Sequence, residues 1–136
     1  MALRIRHKEV EFGVGDLVKV YQRIKEGEKS RLGFFEGIVI KISGELNRKT
    51  FTVRRVGEAG VGIEKIYPVS LPTVEKIEIV KKGVRGVRRS KLYYIREKSP
   101  KEIDLIYSRS KKREQARVGQ VGKVVKVKKA KKSASK

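Results

Sequence analysis

Apolar and polar residues alternate through much of the first eighty positions, and turn-forming residues interrupt the alternation repeatedly. From Leu17 to Ile24, Leu17, Lys19 and Tyr21 fall on one face and Val18, Val20 and Gln22 on the other, which is the two-residue period of a strand. Phe34 to Ile42 reads Phe-Phe-Glu-Gly-Ile-Val-Ile-Lys-Ile, a stronger β signal. Gly37 within it marks a bulge or sharp bend of the kind that closes a small barrel. The segment Thr50 to Val56 turns Phe51 and Val53 inward and Thr52 and Arg54 outward. Val61–Tyr67 and Val74–Val80 follow, the second with Ile77 and Ile79 opposite Glu78. A polar loop at Lys25–Ser30, a hairpin-type loop at Ser43–Arg48, the glycine-rich Gly57–Gly62 and a link bracketed by Pro68 and Pro72 separate these runs. Five short strands without a helical period predict a mostly β domain, a small barrel or sandwich.

The last third changes character. Leu92, Tyr94 and Ile95 fit either one helical turn or an extended arm. Ser99-Pro100-Lys101-Glu102 supplies an N-cap, a proline at the first helical position and the glutamate of a capping box. A helix over 99–115 is predicted, with Ile103, Ile106 and Tyr107 on the face that packs back on the β domain. Beyond it Gly119 and Gly122 break the chain, and lysines dilute Val121, Val124, Val125 and Val127. Residues 116–136 are therefore expected to be a basic tail, disordered when free. Residues 1–11 form a lead-in, and His7, surrounded by charged residues, is expected in solvent.

Charge sharpens this division. The chain of 136 residues carries a net +21, yet residues 1–80 hold only +4 of it. Residues 81–98 hold +7, residues 99–108 hold −1, and residues 109–136 hold +11. Two concentrated basic segments on a nearly balanced domain point to a polyanionic partner, with nucleic acid first because many neutralised phosphates release many counterions. A membrane surface fits less well, since the tail lacks the aromatic and leucine face that an interfacial basic helix buries. No apolar run approaches the roughly 20 residues of a membrane-spanning helix, and Met1–Val10 has no apolar core of a signal peptide. The sequence holds no cysteine, hence no disulfide and no thiolate metal site. A cytoplasmic protein is expected.

The first basic segment has the makings of an RNA contact. Lys81, Lys82, Arg85, Arg88, Arg89, Lys91 and Arg96 surround two glycines and the pair Tyr93 and Tyr94. Guanidinium forks suit phosphate oxygens, and glycines allow close approach to a sugar-phosphate chain. Tyrosines can stack on unpaired bases or anchor the segment in a core. Arg54, Arg55 and the helix cations Arg109, Lys111, Lys112 and Arg113 join the candidate RNA-binding set. The bland alternative is a solvated basic loop. Catalytic candidates are few: one histidine and two widely spaced aspartates, Asp16 and Asp104, offer no nucleophile–base pair and no metal cluster. Glu75 and Glu78 read as a solvated strand edge. Neither Gly13-Val14-Gly15 nor Gly57–Gly62 continues into a nucleotide fingerprint. No enzyme and no cofactor are expected.

Five stretches, taken in order, carry a resemblance: Phe12–Asp16 (Phe-Gly-Val-Gly-Asp), Phe35–Ile40 (Phe-Glu-Gly-Ile-Val-Ile), Phe51–Arg55, Gly60–Pro68 and Val87–Arg96 (Val-Arg-Arg-Ser-Lys-Leu-Tyr-Tyr-Ile-Arg). Over residues 12–98 the chain resembles the bacterial large-subunit ribosomal protein L-nineteen family, and the last motif is the specific one. The resemblance implies an SH3-like barrel over 12–98 with a basic extension at 81–98. It implies binding to large-subunit ribosomal RNA, the ribosomal protein L-fourteen as neighbour, and a bridge to small-subunit RNA. It places the protein in ribosomes, cytoplasmic or organellar. Two departures stand out. The chain is slightly longer before the Arg-Arg-Ser-Lys motif, so family roles do not carry onto Lys82 to Gly86. The helix and tail replace the family's Gly-Lys-rich end. A DNA-binding chromosome-associated protein is the alternative, although no recognition helix or dimer seam is visible.

Overall fold

The computed structural model describes residues 4–83, 89–113 and 115–116. The chain divides into two compact units, Met1–Pro100 and Lys101–Lys136. Among the described residues every strand belongs to the first unit, and no helix is long and apolar enough to cross a membrane.

The lead-in is a hairpin. Strand β1 (Arg4–His7) pairs with β2 (Val10–Gly13), and Lys8 takes a φ of 52° in the tight turn between them. Ile5 stands opposite Phe12 and both are buried. His7, expected in solvent, is buried as well. Two residues beyond Ile5 on a strand, it shares the inward face, and its Nδ1 lies 3.0 Å from the Val69 carbonyl oxygen. That partner lowers the cost of burying a polar ring.

Strands β3 (Leu17–Glu26), β4 (Lys29–Ser43), β5 (Thr50–Val56), β6 (Gly62–Pro68) and β7 (Val74–Lys81) form one antiparallel sheet in the order β6-β5-β4-β3-β7. All five expected strands are present, but β6 and β7 are its edges and do not pair. The sheet is open, not the closed barrel expected. Strand β2 lies beside β7 and its Phe12 enters the core, so apolar surface is covered without closure. The polar loop expected at Lys25–Ser30 shrinks to a two-residue turn, because β3 and β4 stay paired out to Glu26 and Lys29. Gly27 takes a φ of 63° there, the left-handed geometry that a two-residue hairpin turn requires.

Strand β4 serves two partners. Its first part pairs with β3, and from Ile38 onward it pairs with β5. The register slips between Val39 and Lys41, so Ile40 has no partner on β5 and forms a bulge. Gly37, the residue expected to mark a bend, has another task. A Cβ there would fall on the Arg54 carbonyl of β5, so the close approach of the two strands requires glycine.

Phe12, Val18, Val20, Val39, Phe51, Val53, Val74 and Ile77 are almost wholly buried in the core. The Phe12 ring meets Phe51 edge to face at 5.0 Å, and Phe51 stacks on Tyr67 at 5.4 Å, arrangements that suit the ring quadrupoles. Thr52, expected to face outward into water, is buried, and two residues along the same strand Arg54 bonds the carbonyl of Arg96, far along the chain. In the second unit, residues 101–113 and 115–116 are helical. Ile103 and Tyr107 are buried and Ile106 is half-buried, in keeping with the helical spacing. The tail from 117 onward, expected to be disordered, lies outside the described residues.

The hairpin is part of the core, not an appendage. Phe12→Ala is therefore expected to cost about 3–5 kcal/mol, the usual range for a buried phenylalanine, in urea unfolding followed by circular dichroism. A loss below about 1 kcal/mol, typical of surface changes, would show that the hairpin contributes little.

Candidate nucleic-acid interface

The basic segment starts where β7 ends. Lys81 and Lys82 are exposed, and at Gly83 the chain is held: its amide donates to Asp16 Oδ1. Asp16 Oδ2 accepts a second bond from the Gly13 amide at 2.7 Å. One carboxylate thus ties the end of β7 to the turn between β2 and β3. The contact is close enough that a Cβ at position 83 would fall 2.5 Å from the Gly15 carbonyl carbon. Glycine is the residue that fits.

The chain is held again after Arg89. Lys91 forms a β-bridge with Lys41, and the Leu92 amide donates to the Ile40 carbonyl at 2.8 Å. Ile40 is the bulged residue of β4, so its carbonyl is available to a segment from outside the sheet. Leu92 and Ile95 are buried while Tyr93 and Tyr94 are 40% and 39% exposed. The apolar anchors are therefore the aliphatic residues, and the open question about the tyrosines is resolved: neither is a core residue. Tyr93–Glu97 forms a short 3-10 turn rather than an extended arm.

Arg96 closes this turn. Its Nε and one terminal nitrogen donate to the two oxygens of Glu64 on β6, at 2.7 and 2.8 Å. The same carboxylate accepts a bond from Arg54 of β5 at 2.9 Å, and Arg54 also donates to the Arg96 carbonyl at 3.3 Å. Arg54 occupies the space over Gly62, where any Cβ would collide with its guanidinium. The Arg96 guanidinium in turn lies 4.4 Å from the centre of the Tyr93 ring. The fork of Arg96 holds the Glu64 carboxyl below the usual carboxylate range; partial burial acts the other way, and Arg54 adds to the lowering. This pairing is bidentate, which makes an arginine–carboxylate contact stronger and more specific than a single bond, although the Arg96 side chain itself stays exposed.

The candidate RNA-binding residues therefore fall into groups. Arg54 and Arg96 are brought together, both engaged on Glu64. Arg89 and Lys91 are exposed on the segment itself, and no carboxylate among the described residues pairs with them. An open groove of about 650 Å³ lies beside Lys91, with Lys49, Ser90 and Glu45 also on its walls. Arg55 is exposed on β5. Arg85 and Arg88 lie outside the described residues. Arg109, Lys111, Lys112 and Arg113 are exposed on the helix of the second unit. Sequence reasoning overlooked Asp16 and Glu64. Asp16 closes a glycine-rich turn, a setting in which an aspartate often binds local amides; for Glu64 no local signal exists, because its partners are distant along the chain.

The comparisons agree with the resemblance. The family profile described as ribosomal protein L19 matches residues 2–108. The large ribosomal subunit protein bL19 of Thermosipho africanus is 58% identical over 87 residues, 64% of this chain and 74% of the relative. That of Kosmotoga olearia is 52% identical over 92 residues, 68% and 78% of the two chains. That of Flavobacterium psychrophilum is 49% identical over 94 residues, 69% and 78%.

The Glu64 cluster sets a pH dependence. With its folded-state pKa lowered, its contribution to stability is fully present above the ordinary glutamate value of about 4.3. It is lost as pH falls through the lower folded-state value. Wild type is expected to exceed Glu64→Gln in urea midpoint at neutral pH, and the gap is expected to close in acid. A gap that persists unchanged through acid would mean that the charge on Glu64 contributes nothing.

Proposed function

Because the chain belongs to the ribosomal protein L19 family, a family of ribosomal proteins and not of enzymes, we propose that it is a structural constituent of the large ribosomal subunit that binds large-subunit ribosomal RNA. The observation that carries this reading is the exposure of Arg89 and Lys91, whose side chains pair with no carboxylate among the described residues, next to the point where the chain is anchored to the sheet. Lys81, Lys82 and Arg55, all exposed, are further phosphate contacts in this reading, Arg85 and Arg88 belong to the same basic stretch of sequence, and Tyr93 offers a half-exposed ring for an unpaired base. The +11 carried by residues 109–136, the helix cations among them, adds counter-charge beyond the stretch that the family profile covers.

The finer parts of the reading rest on the family alone. They are a position at the subunit interface, a bridge to small-subunit RNA and the ribosomal protein L-fourteen as neighbour. The scaffold is read as an open version of the SH3-like arrangement; the support is the five-stranded antiparallel sheet and the bulge that bends its long central strand.

Phosphate contacts have a measurable signature. Replacing both Arg89 and Lys91 with Ala is expected to weaken binding to large-subunit ribosomal RNA and to flatten the log–log salt dependence by about 1.4–1.8, the release of two counterions. An unchanged slope would mean that neither residue touches a phosphate. Co-sedimentation of the protein with large subunits, and not with nucleoids, in rising salt separates this function from binding to chromosomal DNA.

A further inference from the structure

Acidic side chains on an RNA-binding surface ought to repel the ligand. Two stand at the ends of the basic segment, and each makes bonds that fix the chain. Asp16 holds Gly83 at the entrance, where its other oxygen binds the Gly13 amide. Glu64 holds Arg96 at the exit with a two-point fork and draws in Arg54, which binds the Arg96 carbonyl. Between these points lie Arg89 and Lys91. We propose that Asp16 and Glu64 are positioning residues for RNA binding, fixing the two ends of the segment so that its exposed cations stand ready for phosphates. Arg54 and Arg96 act in the same way, as parts of the clamp, and are not phosphate contacts. This inference rests on the reading that the segment binds ribosomal RNA.

The physical argument turns on opposing effects of different size. A carboxylate roughly 10 Å from a phosphate in water weakens binding only about twofold, before salt screens it further. A segment that is already fixed avoids the ordering cost that a loose one meets on binding. Loss of a charge-assisted contact that does the fixing is expected to weaken binding about tenfold. Glu64→Gln raises the net charge by one and is nevertheless expected to bind RNA less tightly. Simple charge counting gives the opposite sign.

The experiment uses the full chain and protein-free large-subunit ribosomal RNA, with affinity measured across a range of salt concentrations. The variants are Asp16→Asn, Glu64→Gln and Arg96→Lys, and Arg89→Ala/Lys91→Ala serves as the reference for direct contact. Arg96→Lys keeps the charge and loses the fork, so it tests the clamp without altering the charge count. Each clamp variant is expected to lower affinity about tenfold at every salt concentration, leaving the salt slope parallel to wild type. Amide exchange is expected to speed up at Leu92 and Ile95 and to stay unchanged at Val18 and Val53. Should Asp16→Asn fail to fold, Glu64→Gln and Arg96→Lys carry the test.

Equal or tighter binding by Glu64→Gln, or wild-type affinity and slope in Arg96→Lys, would overturn the inference. The reading of the segment as an RNA contact would survive if Arg89→Ala/Lys91→Ala still flattened the slope. Faster exchange at Val18 and Val53 to the same degree as at Leu92 would also overturn it, since the acids would then only support the fold. If wild type itself bound this RNA without salt dependence, the functional reading and the inference would fail together.

Discussion

One strand has to serve two neighbours, and the architecture of the first unit follows from how it does so. Strand β4 pairs with β3 along its first part and with β5 along its second; the two pairings meet at Ile38, and the bulge at Ile40 follows two residues later. A bulge adds a residue to one strand, bends it and interrupts the ladder. Here the interruption leaves the Ile40 carbonyl to accept the Leu92 amide. The feature that bends the sheet is thus also the point at which the basic segment attaches. Burial of Leu92 and Ile95 reinforces that attachment, and the Lys41–Lys91 bridge extends it by one residue.

The charges are organised on the same principle. A net of +21 would by itself describe a sticky, poorly specified polycation. The fold separates the cations into those that hold the structure and those left for a partner. Glu64 pairs with two arginines at the edge of the sheet, offsetting one of their two charges, and the Arg96 guanidinium lies over Tyr93. Arg89 and Lys91 remain exposed. Counting basic residues measures the attraction to a polyanion, but it does not identify the contacts, because a paired arginine releases few counterions when RNA arrives.

Much of the sheet was legible in the sequence because period-two alternation is a local property. The strands at Leu17, Phe34, Thr50, Val61 and Val74 announce themselves by their own residues. Whatever depended on distant partners was not legible. His7 looked like a surface residue because its neighbours are charged, and it is buried because Val69 receives it. Thr52 alternates outward and is nevertheless buried, and its strand neighbour Arg54 meets a carbonyl some forty residues later. The openness of the sheet was hidden too, since strand count does not say whether the edges meet. At the candidate site the basic run was plain and the clamp was not: Arg54, Glu64 and Arg96 come from two strands and a turn.

A density map of the assembled large subunit, with side chains visible, is the most direct test of this account. The expected map shows the Arg96 fork still seated on Glu64, with Arg89 and Lys91 within about 3 Å of phosphate oxygens, a normal hydrogen-bond distance. A map in which Arg96 has left Glu64 for a phosphate, while Arg89 and Lys91 face solvent, would contradict it.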